Sequence, residues 1–181
     1  MSCALCQAVV IAISILAPQP ALDVVANLDP SRYVGEWFEI ARLPNRFQDK
    51  CAGDIVARYA ARPGGGFTVV NRCRQLDGTT TEAAGVARTV KGAPSSVLQV
   101  RFAPAFLSFL PQVWGDYQVI ALDEAHSYAM VGTPDRKYLW VLSRTPVIDA
   151  ALYDRLMDAA RTQGFDVSRI IKTPQSGASS R

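Results

Sequence analysis

The sequence predicts an all-β domain of eight antiparallel strands followed by one helix. Three observations lead there. Short stretches of alternating apolar and polar residues follow one another from Trp37 to Ser143. Turns rich in Gly, Pro and Asp separate most of them. Between Asp149 and Gln163 the apolar spacing changes to that of a helix. The 181 residues fit one domain, and the 49% that are hydrophobic suffice to fill its core.

Ahead of the strands, Met1 to Leu22 carries no charge. Ala8 to Leu16 (AVVIAISIL) is apolar, and small residues follow it. The run is too short to span a bilayer as a helix and suits the apolar region of a signal peptide. No Lys or Arg precedes it, so a buried N-terminal segment is the competing reading. The expected organisation is a signal peptide over 1–22, a barrel domain over 23–172 and a flexible polar tail over 173–181. Cys3 and Cys6 would leave with the leader. Neither stands just after the apolar run, where a lipid-anchored start needs its cysteine.

The strands come in order. Trp37 to Arg42 (WFEIAR) is the first. Ile55 to Ala60 and Phe67 to Arg72 flank Arg62-Pro63-Gly64-Gly65-Gly66, which makes them a hairpin. Thr81 to Val90 and Ser96 to Phe102 flank Lys91-Gly92-Ala93-Pro94. Tyr117 to Leu122 and Tyr128 to Val131 flank Asp123-Glu124-Ala125-His126. Tyr138 to Ser143 follows Thr133-Pro134-Asp135-Arg136. In the helix, Leu152, Leu156, Ala159 and Ala160 share one face, and Gly164 is placed to end it. Val167 to Ile171 reads as a final short strand. Eight strands are close to the number that closes an up-and-down barrel, while a two-sheet sandwich is the competing solution. Local pattern does not choose between them.

Chemistry-bearing motifs are scarce. The net charge is only +3 and the basic residues are scattered, so a nucleic-acid partner is not expected. His126 is the single histidine. No metal-ligand spacing, GxSxG elbow or phosphate loop is present, so no metal or cofactor is expected.

Three motifs choose the fold. Asn27 to Arg46 reads NLDPSRYVGEWFEIARLPNR, with Gly35-Glu36-Trp37 opening the first strand. Gly115-Asp116-Tyr117 precedes VIALD, and Tyr138 to Pro146 reads YLWVLSRTP around Arg144. In this order and spacing they resemble the lipocalins, nearest the bacterial outer-membrane type and its apolipoprotein D-like relatives. The resemblance covers Val25 to Ile171. It implies an eight-stranded up-and-down antiparallel barrel with the C-terminal helix packed outside.

Strand bookkeeping in such a barrel puts Trp37 and Arg144 at one rim, the closed floor. A guanidinium stacked on an indole is expected there, a contact worth about 0.5–2 kcal/mol. Gly35, Trp37, Asp116, Tyr117 and Arg144 are thus structural. Cys51 and Cys73 fall at the mouth. Pairing about Arg62 sets Cys51 against Cys73 and Ile55 against Val69. A disulfide is expected, with two free thiols or one reactive thiol as alternatives.

Alternation then selects interior rows: Trp37, Glu39 and Ala41; Phe67, Val69 and Asn71; Tyr117, Val119 and Ala121; Tyr138, Trp140, Leu142 and Arg144. The candidate pocket lining is Glu39, Tyr59, Phe67, Val69, Asn71, Phe102, Phe106, Tyr117, Val119, Tyr138 and Trp140. Ordinary core is the competing role for each. If inward, Glu39 is a carboxylate in apolar surroundings able to bond a ligand head group; the competing reading is an offset strand that leaves it facing water. Phe102 to Trp114 (FAPAFLSFLPQVW) joins two strands at the mouth. Its apolar character fits a lid, a membrane or dimer contact, or packing on its own barrel.

The residues reach a closed barrel with an apolar interior. The resemblance implies the rest: storage or transport of a fatty acid or lysophospholipid, without chemistry. The protein would be exported to the periplasm or outer membrane, as a monomer or weak homodimer. An enzyme acting on a lipid or isoprenoid is the second reading. A haem or pigment binder is the third, and it lacks an inward histidine for iron.

Overall fold

The structure, a computed structural model, describes residues 19–177. Eight strands follow in sequence: β1 (Gly35–Arg42), β2 (Cys51–Ala61), β3 (Phe67–Gln75), β4 (Thr80–Thr89), β5 (Val97–Arg101), β6 (Gly115–Leu122), β7 (Tyr128–Gly132) and β8 (Leu139–Ser143). Each pairs antiparallel with the next, and β1 pairs with both β2 and β8. The sheet therefore closes on itself as a barrel, and the sandwich is excluded. A short helix α1 (Pro30–Tyr33) precedes the barrel, a longer α2 (Ala150–Thr162) follows it, and β9 (Ile171–Lys172) pairs with β1.

Two cores hold these layers. The inner one fills the barrel with Tyr33, Trp37, Tyr59, Phe67, Val69, Leu98, Val119, Val131 and neighbours. The outer one lies beneath α2, where Leu156, Met157 and Ala160 meet Met130, Leu139 and Val141. Burying such a side chain contributes roughly 1.5–3 kcal/mol. Asp149 caps α2 by accepting from Leu152 N (2.8 Å), and Gly164, at φ +87°, ends it.

Two β-bulges correct the expected interior rows. The β1–β8 register shifts between Glu39 and Ala41, and the β6–β7 register between Val119 and Ala121. Ala41 and Ala121 consequently face the outer core under α2 rather than the interior. The first bulge also turns Arg42 inward, opposite Trp140. Strict alternation fails here because each bulge places two consecutive residues on the helix-covered face.

The β2–β3 register differs too. Tyr59, not Ile55, lies opposite Val69, and Cys51 lies opposite Gln75. Shifts on either side of Gly53 still bring Cys51 and Cys73 into a disulfide with Cα atoms 5.7 Å apart. Val167–Arg169 is a 3₁₀ turn, so the last strand shrinks to two residues.

Residues 173–176 are not a free tail. β1 pairs with β2 only up to Phe38, and this segment fills the seam above. Asp54 N donates to Pro174 O (2.8 Å), and Gln175 Nε2 donates to Glu39 O (2.9 Å) and Ile55 O (3.0 Å). Hydrogen bonds from the Ser176 N–H and the Arg74 guanidinium hold the Asp54 carboxyl below its usual range. At the other end, Leu22, assigned to the leader, packs in the outer core. The apolar run Ala8 to Leu16, with Cys3 and Cys6, lies outside the described residues.

Candidate functional site

The floor is built around Arg144. Its Cζ lies 3.8 Å from the centre of the Trp37 ring. Its guanidinium donates to the carbonyls of Glu36 (2.7 Å), Arg32 (2.8 Å), Val34 (2.9 Å) and His126 (3.3 Å). One side chain thus ties the chain entering β1 to the β6–β7 turn. Gly35 makes room: its φ is +101°, and a Cβ there would stand 3.1 Å from Arg144 Nη1. Asp123 holds the same turn, accepting from Ser127 N (2.6 Å), Ser127 Oγ (2.6 Å) and Tyr128 N (3.0 Å). Burial pushes its carboxyl up, but these bonds outweigh it and leave the group below its usual range. Asp116, assigned to the same framework, is exposed on β6 opposite Gln99.

Above Trp37 the barrel is filled. Tyr33, on α1, is fully buried and was not visible as a core residue in the strand pattern. Its hydroxyl meets Tyr117 Oη at 2.7 Å, and Tyr59 Oη meets the same oxygen at 2.9 Å. Tyr117 is the hub, so three hydroxyls share two links. Burial pushes the Tyr59 phenol up to about 12 and those of Tyr33 and Tyr117 well above their ordinary value. Phe67, Val69 and Val119 are packed into the same cluster. Five expected lining residues, Tyr59, Phe67, Val69, Tyr117 and Val119, therefore form sealed core in the lower barrel.

Glu39 is not an isolated carboxylate. It accepts from Arg42 Nη1 (2.9 Å), Thr173 Oγ1 (2.5 Å) and Gln48 Nε2 (2.5 Å). Gln48 in turn accepts from Trp140 Nε1 (3.0 Å). The first bulge makes this possible by bringing Arg42 onto the inward face beside Glu39. The knot closes the seam beside the C-terminal segment and leaves Glu39 no free oxygen to offer a head group. A period-2 reading carries no signal for it.

The mouth half differs. Asn71 is half-buried between Ala57 and Ala83 in the register, and its Oδ1 is sealed from solvent without a hydrogen-bond partner. β4 presents Ala83, Gly85 and Ala87 toward the interior, opposite Asn71, Val69 and Phe67. Across the barrel, Trp140 stacks on Tyr138 (5.9 Å between ring centres), and Tyr138 meets Phe47 (5.5 Å). The mouth connections carry Phe47, Leu76, Phe102, Phe106 and Phe109, with exposures of 66, 81, 43, 75 and 75%. Phe106 thus stands outside the barrel rather than lining it. The 102–114 strap is pinned at its far end, where Trp114 lies under Arg88 (3.7 Å) and donates to Ser108 O (2.9 Å).

Among the described residues, no three His, Cys, Asp or Glu side chains are grouped to hold a metal ion, and no helix is long and apolar enough to cross a membrane. His126 sits in the floor turn, away from the mouth. The open end offers apolar surface and an unpaired amide.

Comparison with known proteins agrees with this geometry. Residues 28–175 match the family model for a lipocalin-like domain. Temperature-induced lipocalin-1 of Arabidopsis thaliana is 40% identical over 162 residues, covering 86% of this chain and 83% of that protein. The outer membrane lipoprotein Blc of Escherichia coli (strain K12) is 38% identical over 170 residues, covering 93% of this chain and 92% of its own length. The solved structure of insecticyanin from the tobacco hornworm Manduca sexta superposes with a TM-score of 0.67 at 22% identity, covering 88% of this chain and 87% of that one. Motifs, closed barrel and family match coincide, and the chain belongs to the lipocalin family.

Proposed function

We propose that this protein binds one single-chain lipid, a fatty acid or lysophospholipid, in the mouth half of its barrel. It stores or carries that lipid in the cell envelope and performs no chemistry on it. The observation that carries this reading is the contrast between the two ends: a sealed aromatic floor, and a mouth that carries the unpaired Asn71 Oδ1, the stacked Tyr138 and Trp140 rings and an open cleft of about 350 Å³ beside Phe102. Burial of the tail supplies affinity at ~0.8 kcal/mol per CH₂. Asn71 Oδ1 accepts from a hydroxyl or protonated carboxyl of the head group.

The relative named as an outer membrane lipoprotein supports export to an envelope, and the plant relative leaves the kind of membrane open. The exposed apolar tips Phe47, Leu76, Phe106 and Phe109 ring the same opening. An opening rimmed this way touches a lipid surface and takes its cargo there. Among the described residues, no cysteine stands as a free nucleophile beside the histidine. Cys51 and Cys73 are bonded to each other, and His126 is at the opposite end.

Native mass spectrometry of the protein extracted gently from its source tests the reading. A retained adduct with the mass of a fatty acid or lysophospholipid supports it. Preparations that carry none, and that take up none from mixed lipid vesicles, contradict it.

A further inference from the structure

The interior face of β4 is unusual for a barrel wall. At three successive inward positions, Ala83, Gly85 and Ala87, it carries almost no side chain. The lane this leaves is not empty. A Cβ built on Gly85 would stand 2.7 and 2.8 Å from Cδ1 and Cε1 of Phe102, so the phenyl ring rests directly on bare backbone. Gly85 lies opposite Val69, between Asn71 toward the mouth and Phe67 in the filled core, which places the ring over the inward face at the top of that core.

The ring is seated but weakly held. Phe102 follows the last residue of β5 and remains 43% exposed. Its neighbours are fixed instead. Arg101 Nη1 donates to Ala103 O and Pro104 O, both at 2.5 Å, and its guanidinium lies 5.3 Å from the Trp114 ring. Neither 3₁₀ turn of the strap, Ala105–Leu107 or Pro111–Val113, buries a residue. Beside the ring is an open cleft of about 350 Å³, lined by Ala84–Val86 and Arg101–Ala105. The ring borders this cleft, and rotation about its own side-chain bonds is the motion that would carry it there. For a partly exposed side chain such rotation takes picoseconds to nanoseconds.

We propose that Phe102 is a self-occluding plug. Its ring holds the acyl-chain lane over Gly85 when no lipid is bound, and an entering tail displaces it into the cleft. This rests on the lipid-binding reading above and sharpens it in two ways. The space the ring would vacate over Gly85 has the width of one phenyl ring, so it takes an unbranched chain and turns away a fused-ring or branched one. The plug also taxes affinity, because the binding-competent state is only part of the population.

Calorimetric titration with lauric acid, for the wild type, Phe102→Ala, Phe102→Leu and Ala83→Leu, tests the proposal. Removing the plug should tighten binding by about three- to tenfold in Phe102→Ala, with Phe102→Leu between it and the wild type. Ala83→Leu fills the lane and should weaken binding by about tenfold or more. Far-UV circular dichroism checks folding, and Phe102→Leu carries the comparison if the alanine variant is unstable. If the wild type binds lauric acid and both Phe102 variants bind equally or more weakly, the ring is wall and the plug is overturned, while lipid binding stands. If no variant binds lauric or a longer acid, plug and lipid-binding reading fall together.

Discussion

The closed end of the barrel is built like a protein core and the open end like half of an interface. At the floor, Arg144 spends its donors on four carbonyls and stacks on Trp37, and three tyrosine hydroxyls meet one another in the dark. At the mouth, Asn71 keeps an unpaired oxygen, and five large apolar side chains face water. Both ends are rich in aromatic residues, so composition does not separate them. What separates them is how particular polar groups are met: the Arg144 guanidinium and all three tyrosine hydroxyls have partners at the floor, whereas Asn71 Oδ1 at the mouth has none. The family motifs around Trp37 and Arg144 cluster at the closed floor, because closing the barrel demands particular residues and lining it demands only apolar ones.

This contrast yields graded predictions. Arg144→Ala should have the largest effect, about 2–4 kcal/mol of stability, since it strands carbonyls and removes the cation–π contact. Chemical denaturation measures it. Lipid affinity at matched folded fraction should stay the same; a selective loss of affinity would mean that the floor takes part in binding.

Removing the disulfide comes next. Changing Cys51 and Cys73 to Ser opens a link across a sequence separation of 22. The loop-entropy model puts the loss at about 3 kcal/mol. Because the bond lies at the mouth, hydrogen exchange should quicken around Cys51 and Cys73 more than around Trp37. Uniform quickening would instead tie the two ends together.

The tyrosine cluster gives a smaller, paired test. Tyr117→Phe removes both links and leaves the Tyr33 and Tyr59 hydroxyls without partners, costing about 2 kcal/mol. Tyr59→Phe removes one link and should cost about 1 kcal/mol. The same cluster sets an alkaline limit. The folded phenols are raised above their unfolded value of 10.0, with Tyr59 at about 12. The folded state therefore keeps protons that the unfolded chain loses. That stability is complete below pH 10 and disappears as pH rises through 12. Tyrosinate absorbance from these residues should thus appear together with unfolding; absorbance that rises while the fold persists would mean the cluster is solvated.

The smallest effect on stability belongs to the mouth. Phe106→Ser with Leu107→Ser should change stability by less than about 0.5 kcal/mol, as for exposed sites generally. Flotation with phospholipid vesicles should nevertheless drop severalfold. Unchanged flotation would reduce the strap to packing.

Much of the fold was legible in the sequence. Turn residues and alternation located all eight strands within a few residues, and the capped helix pattern located α2. That Trp37 and Arg144 share one rim followed from strand direction once the motifs had chosen the barrel, and the two side chains do stack there. The site was less legible, for identifiable reasons. The bulges at Ile40 and Ile120 break the period on which interior rows depend, so Ala41 and Ala121 were misplaced and Arg42 was missed. Glu39 met partners from Thr173 and Gln48, contacts remote in sequence or set by a loop's path. Tyr33 lies on a four-residue helix that the strand pattern skips, although its place just before Gly35 in the first motif could have flagged it. Depth was invisible as well. Tyr59, Phe67 and Tyr117 alternate inward as Trp140 does, and only packing shows that they lie in the filled half.

The most direct test of the division between filled floor and receptive mouth is a lipid-dependent map of amide chemical shifts. Lauroyl lysophosphatidylcholine should perturb Asn71, Ala83, Gly85, Phe102 and Trp140 while leaving Tyr33, Trp37 and Tyr117 unmoved. Shifts centred on the tyrosine cluster, or no saturable shifts at any lipid concentration, would contradict the account.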